Sequence, residues 1–266
     1  MDINKMFDPN EKPLDNLIDD GGFCGIFNTI ACIGDSLSSG EFEVVSDKGN
    51  KYYLDMFEHS WGQYIARATG RTVYNFSRGG MSANWYYLNF ADEKGLWSQD
   101  KAAQAYIYAL GVNDIINCGF QVGDISDIEN DNGAIECTNY AVWTSRVINR
   151  YKKIAPDAKW FFVTMPYGDD EQDALREEHN RLMYKLAEYY SNSYVIDLGK
   201  YMPHYNQEFR DKFYLEGHLN AMGYILTGKV MVSYIDYIIR HNMNDFMKVP
   251  MINTQYADRV LNAPAE

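Results

Sequence analysis

Thr29-Ile30-Ala31-Cys32-Ile33-Gly34-Asp35-Ser36-Leu37-Ser38 is the stretch on which the reading of this 266-residue chain turns. Its first five residues are apolar or β-branched and bounded by a glycine, the pattern of a short strand buried on both faces. Gly34 then turns the chain and leaves the Ser36 hydroxyl at the strand's C-terminal end. In an open α/β sheet, ligands collect at that edge. A serine at a turn is more often satisfying local backbone groups than reacting. Its weight comes from three later segments: Asn75-Phe76-Ser77-Arg78-Gly79-Gly80, Gly111-Val112-Asn113-Asp114 and Glu216-Gly217-His218-Leu219-Asn220.

Working outward, four more short apolar runs predict strands at 72–75, 106–110, 160–164 and 194–198. Helical patterns lie between and after them, at 60–69, 140–154, 174–190 and 221–240. In the third, Leu175, His179, Leu182, Leu186 and Tyr189 share a stripe; in the last, Leu226, Val230, Tyr234 and Ile238 recur at four-residue steps. Ser60 reads as an N-cap and Gly70 as the glycine just past the helix end. Strands alternating with helices imply a parallel sheet covered on both faces. Residues 41–58 read as a hairpin inserted after the first strand, with Asp47-Lys48-Gly49-Asn50 as its turn. Residues 118–137 are long and acidic and follow Asn113, so they are expected to cover the sheet edge as a loop or lid. Residues 1–28 and 241–266 read as arms, packed on the surface or on a second copy in a homo-oligomer, around a domain at 29–240.

The net charge of -13 opposes nonspecific nucleic-acid binding and docking on anionic membranes. No run of about eighteen apolar residues spans a bilayer, and Met1-Asp2-Ile3-Asn4-Lys5 does not open a secretory signal. Cys24, Cys32, Cys118 and Cys137 form no C-x-x-C pair and no zinc spacing. These features lead to the expectation of a cytoplasmic protein with reduced thiols.

The four segments answer what acyl transfer at serine requires. The hydroxyl loses its proton as it attacks, so a base must be in reach. The charge developing on the carbonyl oxygen must meet donors already in place. His218, between the last strand and the last helix, returns to the edge that carries Ser36. Gly80 lets a backbone N–H approach substrate closely. The Asn113 side-chain amide supplies a second donor, and the Ser36 N–H a third.

With these blocks in order, the chain resembles the SGNH (GDSL-type) hydrolase family over roughly residues 28–240. Gly34-Asp35-Ser36-Leu37-Ser38, Asn75 to Ser82, Gly111-Val112-Asn113-Asp114 and His218-Leu219-Asn220-Ala221-Met222-Gly223-Tyr224 match its four blocks. The resemblance implies Ser36 as nucleophile, Gly80 and Asn113 as oxyanion donors and His218 as base. It also implies a flavodoxin-like three-layer α/β/α sandwich with a five-stranded parallel sheet, and neither metal nor organic cofactor. One position departs from the pattern. The family carries aspartate three residues before the histidine, where this chain has Leu215. Glu216 and Asp211 are the nearest carboxylates in sequence. Either Glu216 reaches the ring by another backbone route or a backbone carbonyl holds it in a dyad. The second is favoured, because in an extended loop the residue at -2 points away from the one at -3.

The expected activity is hydrolysis of small acyl esters, acetylated sugars among them. Trp85-Tyr86-Tyr87, Trp97 and Tyr167 could stack on a sugar ring, against the plainer reading that they are buried. Asp35 and Asp114 read as structural, His179 as a satisfied core residue, and His59, His204 and His241 as surface residues. A metal-dependent phosphoesterase would share Gly-Asp and Asn-Asp elements but needs several histidines near them, and only His218 is available. A non-catalytic carbohydrate-binding module is disfavoured by retention of the whole set. The acidic run 127–133 has its glycine one position late for a calcium loop, and Thr138 stands in place of the bidentate glutamate.

Overall fold

The computed structural model describes residues 7–257. Along the chain, β1 (Thr29–Gly34) leads into a one-turn helix α1 (Ser36–Ser39) and then the hairpin β2 (Glu41–Val45) and β3 (Lys51–Asp55). After α2 (Trp61–Thr69) come β4 (Thr72–Ser77), β5 (Ala105–Ala109), α3 (Tyr140–Ile154), β6 (Lys159–Val163), α4 (Asp173–Tyr189) and β7 (Ser193–Ile196). The long helix α5 (Ala221–His241) follows. The five main strands form one sheet in the order β4-β1-β5-β6-β7, every pairing parallel. Counted among themselves, they run 2-1-3-4-5, the flavodoxin-like order, whose crevice lies where the winding reverses beside β1.

Register explains why distant residues meet. Gly34 at the end of β1 is level with Ser77 of β4 on one side and Ala109 of β5 on the other. The segments carrying Ser36, Gly80 and Asn113 therefore leave the sheet at one height. Alternation along β1 feeds two cores. Ala31 and Ile33 pack with Phe76, Trp143, Tyr151 and Leu186, on the α3 and α4 side. Ile30 and Cys32 pack with Trp61, Ile65, Val230 and Met231, on the α2 and α5 side. Burying both faces is what makes the strand sequences continuous apolar runs.

The helix ends follow local chemistry. The Ser60 hydroxyl accepts from Gln63 N at 3.1 Å, and Gly70 ends α2 at φ +65. β7 stops two residues short of its sequence reading because Asp197 caps the next turn, accepting from Lys200 N at 3.0 Å. The hairpin forms as expected, with Gly49 at φ +79 in its turn. Both arms, as far as they are described, pack on their own chain. Phe23 N donates to Asp236 of α5 at 2.7 Å, and Gln104 donates to Ile252 O at 2.8 Å.

Residues 118–137 do not act as a lid. Val122 and Ile128 are buried in the α3 and α4 core, Asp124 pairs with Lys185 of α4 and Asp131 with Arg146 of α3. Two of its five acidic residues, Asp124 and Asp131, are thus ion-paired to the two helices beneath it. Among the described residues no helix is long and apolar enough to cross a membrane.

Candidate active site

Ser36 is the first residue of α1. Asp35 caps that turn, its carboxylate accepting from Leu37 N at 3.1 Å. Gly34 is obligatory here, because a Cβ would overlap the Ser38 side chain. Asp35 is 3% exposed, and loss of solvation pushes its carboxyl up to about 6. Asp114 is fully buried. Desolvation takes it to about 7, and both its oxygens lie at 2.9 and 3.1 Å from Ala83 N, bracing the loop after β4. Both aspartates hold backbone in place, as their sequence positions suggested.

Gly80 sits at φ +70, a conformation that favours glycine, with open space on its Cβ side. Asn113 is oriented by its neighbours. Asn117 donates to Asn113 Oδ1 at 2.8 Å, so the amide nitrogen faces the other way. That nitrogen donates to Met81 O at 3.0 Å and lies 3.5 Å from Asp35 Oδ2. An amide nitrogen has two protons. One anchors the β4 loop, and the other makes only the long contact to Asp35. Gly111, at φ +137, lets this turn pass against His179, whose ring a Cβ would strike. His179 is a core residue: burial lowers its pKa to about 4, and it lies 3.3 Å from the Tyr140 hydroxyl.

His218 lies on a two-residue strand β9 (His218–Leu219), paired antiparallel with β8 (Tyr214–Leu215). Asn220 fixes the loop from behind, capping α5 at Gly223 N and donating to Lys212 O at 3.0 Å. The imidazole lies between two carboxylates of β2: Nε2 is 3.1 Å from Glu41 Oε1, and Nδ1 is 3.4 Å from Glu43 Oε2. Nδ1 is buried and not aligned well enough to complete a hydrogen bond. Glu43 also accepts from Lys51 at 2.6 Å and from Gly217 N at 3.1 Å. Two glycines make room for these side chains: a Cβ on Gly79 would strike the Glu41 carboxylate, and one on Gly217 that of Glu43. Burial opposes charging of His218, but Glu41 and then Glu43 outweigh it and hold the imidazole's pKa above its ordinary value.

Ser36, Gly80, Asn113 and His218 line one cavity of about 500 Å³ together with Asp35 and Glu41. Among the described residues Ser36 and His218 are not hydrogen-bonded to each other; Nε2 is turned to Glu41 instead. Glu216 is not the ring's partner. It is exposed at φ +55, and the carboxylates on the imidazole are Glu41 and Glu43. Asp211 is also uninvolved, accepting from Gln207. None of the aromatics expected at the rim lines the cavity, and Trp85 is exposed elsewhere. Tyr86 is fully buried, and Tyr87 and Trp97 pack into the α3 side; the cavity's aromatics are Tyr53, Tyr205 and Tyr214. Two arginines also line it. Arg176 is bound by Asp170 and Asp173, whereas Arg210 donates to Tyr205 O and lies over the Tyr214 ring. Sequence reading missed Glu41 and Glu43. Their signal was there: two glutamates at i and i+2 share one face of a strand that follows directly on the serine block.

A three-layer sandwich with a serine turn at the crevice edge defines an ester hydrolase of the SGNH type. The chain belongs to the GDSL-like lipase/acylhydrolase family, whose profile it matches over residues 32–226, and it is a carboxylic ester hydrolase. Solved structures share its fold. Est24, a carbohydrate acetylesterase from Sinorhizobium meliloti, is 16% identical with a TM-score of 0.53, covering 79% of this chain and 99% of that one. A carbohydrate esterase family 2 enzyme with a carbohydrate-binding domain from Corynascus thermopiles (Myceliophthora fergusii) is 16% identical with a TM-score of 0.55, covering 84% and 68%. The psychrotrophic esterase EstA from Pseudoalteromonas sp. is 14% identical with a TM-score of 0.52, covering 80% and 98%. Among curated proteins none matches significantly.

Proposed function

We propose that the chain is a serine esterase that hydrolyses small acyl esters through Ser36 and His218. The reading is carried by one observation: four segments far apart in sequence bring Ser36, Gly80, Asn113 and His218 to a single cavity. In the first half-reaction Ser36 Oγ attacks the ester carbonyl carbon and passes its proton to His218 Nε2. That step requires Nε2 to turn from Glu41 to the hydroxyl. The carbonyl oxygen takes up the charge and meets the N–H groups of Ser36 and Gly80 and the second proton of the Asn113 amide. Collapse breaks the bond to the alcohol, which leaves with the proton from His218. Water then attacks the acyl-serine by the same route in reverse roles, giving the acid and free enzyme.

For the alcohol, acetylated sugars are the leading class. Support comes from Gln172, Arg210 and the tyrosines Tyr53, Tyr205 and Tyr214 in the cavity lining and from the carbohydrate esterases that share the fold. The test is a series of p-nitrophenyl esters of increasing chain length beside acetylated sugars, with Ser36→Ala as blank. Turnover that falls with chain length and vanishes in Ser36→Ala, with mass spectrometry locating an organophosphonate adduct on Ser36, is the expected result. Undiminished hydrolysis by Ser36→Ala overturns it.

A further inference from the structure

We infer that the inserted hairpin supplies the carboxylate partners of the base: Glu43 positions His218 through Nδ1, and Glu41 holds Nε2 in the resting enzyme. This rests on the esterase reading above and assigns the role left open at Leu215.

The geometry carries it. Glu41 and Glu43 are two apart on β2, so both side chains leave the same face of the hairpin, and that face meets the His218 loop. Both are nearly buried, 9% and 4% exposed, where a carboxylate is costly unless it is partnered. Glu43 is partnered on three sides, by Lys51 at 2.6 Å, Gly217 N at 3.1 Å and the imidazole at 3.4 Å. The Lys51 hydrogen bond holds its carboxyl below the usual glutamate range, so it is ionised when His218 needs it. Gly79 and Gly217 bare the backbone where the two carboxylates pass. A small rotation of the ring completes the Nδ1–H to Glu43 hydrogen bond.

Two carboxylates on one imidazole have a further consequence. Carboxylates beside both nitrogens favour the charged ring and raise its pKa against the opposing effect of burial. Below that raised pKa the base already holds its proton, and turnover requires the proton to leave. Glu41 is thus a brake and Glu43 an orienter. The other groups facing the ring are Tyr53 of β3, whose ring centroid is 6.0 Å away, Asp35 at the β1 turn, and Lys51 behind Glu43. Glu216, on the histidine's own loop, is exposed.

The experiment is the pH profile of kcat/KM with p-nitrophenyl acetate. In the wild type the acid limb has its midpoint above about 6.5, the ordinary histidine value. Glu43→Gln is expected to lower kcat at least about tenfold, with KM little changed, and to move the midpoint to lower pH. Glu43→Asp, which keeps the charge, recovers part of both. Glu41→Gln moves the midpoint down, and Glu216→Gln lowers kcat by less than tenfold and leaves the midpoint in place. The His218 ring is also titrated by nitrogen NMR in full-length Ser36→Ala protein, alone and with Glu41→Gln or Glu43→Gln added. A midpoint that falls in both double variants supports the clamp without relying on turnover. Unchanged titration and unchanged kcat in the Glu43 variants overturn it, as does a loss confined to Glu216→Gln. Turnover that survives Ser36→Ala sinks the parent reading instead, and the titration still reports on the glutamates.

Discussion

In the proposed mechanism Asn113 does two jobs with one amide. Its oxygen is fixed by Asn117, one amide proton is spent on Met81 O, and the other is held only by a 3.5 Å contact to Asp35. A donor held this loosely can be redirected to a developing oxyanion at little cost. Its removal should act on the transition state more than on substrate binding. Asn113→Ala is therefore expected to lower kcat about a hundredfold, the usual worth of one oxyanion donor. KM should stay nearly constant in steady-state kinetics on an activated ester. The same residue shows how roles divide at a site. Asp35 and Asp114, one residue from Ser36 and from Asn113, use their oxygens on backbone N–H groups. Burial raises both carboxyls, and it does so without giving either a proton-transfer task.

At the scale of elements, what matters is how each strand end is held level with its neighbours. α2 delivers the chain from the hairpin to β4, and its start depends on one hydroxyl, Ser60 Oγ on Gln63 N. Ser60 is fully buried, and losing its hydroxyl leaves that N–H without its cap. Ser60→Ala is expected to cost about 1 kcal/mol, measurable as a lower urea midpoint with unchanged slope. The hairpin is the element whose meaning changed most between sequence and structure. As a sequence it is an insertion with a Gly-Asn turn. As a structure it is a wall of the cavity, with Glu41 paired opposite Asp55, Glu43 opposite Tyr53, and both glutamates turned to the histidine loop. Strand alternation told which residues share a face, but not that the shared face would be the charged one turned inward.

At the scale of the whole molecule, the N-terminal arm is tied to α5 by a nearly buried cluster. Arg240 donates to Asp236 at 2.7 Å and to both oxygens of Glu11, and the three side chains are 10%, 5% and 6% exposed. Removing the cation strands two carboxylates away from water, a loss of about 3 kcal/mol for a buried network. Arg240→Ala should show it as a lower thermal midpoint by circular dichroism. Esterase kinetics at 25 °C should stay near wild type, since the cluster lies outside the cavity.

By itself the sequence determined the sheet, the four long helices beside it and the four segments that meet at its edge. Continuous apolar runs, caps and turn glycines are local signals, and parallel winding sends every strand's C-terminal end to the same side. It also placed His179 in the core and the two aspartates in structural roles. What surrounds the imidazole was decided only by tertiary structure. Glu43 and Gly217 are 174 residues apart, and no local preference tells a chain which hairpin face will settle on which loop. That choice depends on packing summed over both cores. It gave His218 two carboxylates from β2, whereas Glu216 and Asp211, the nearest in sequence, stay off the ring. It also folded residues 118–137 onto α3 and α4, because ion pairs with Arg146 and Lys185 exist only once those helices are in place.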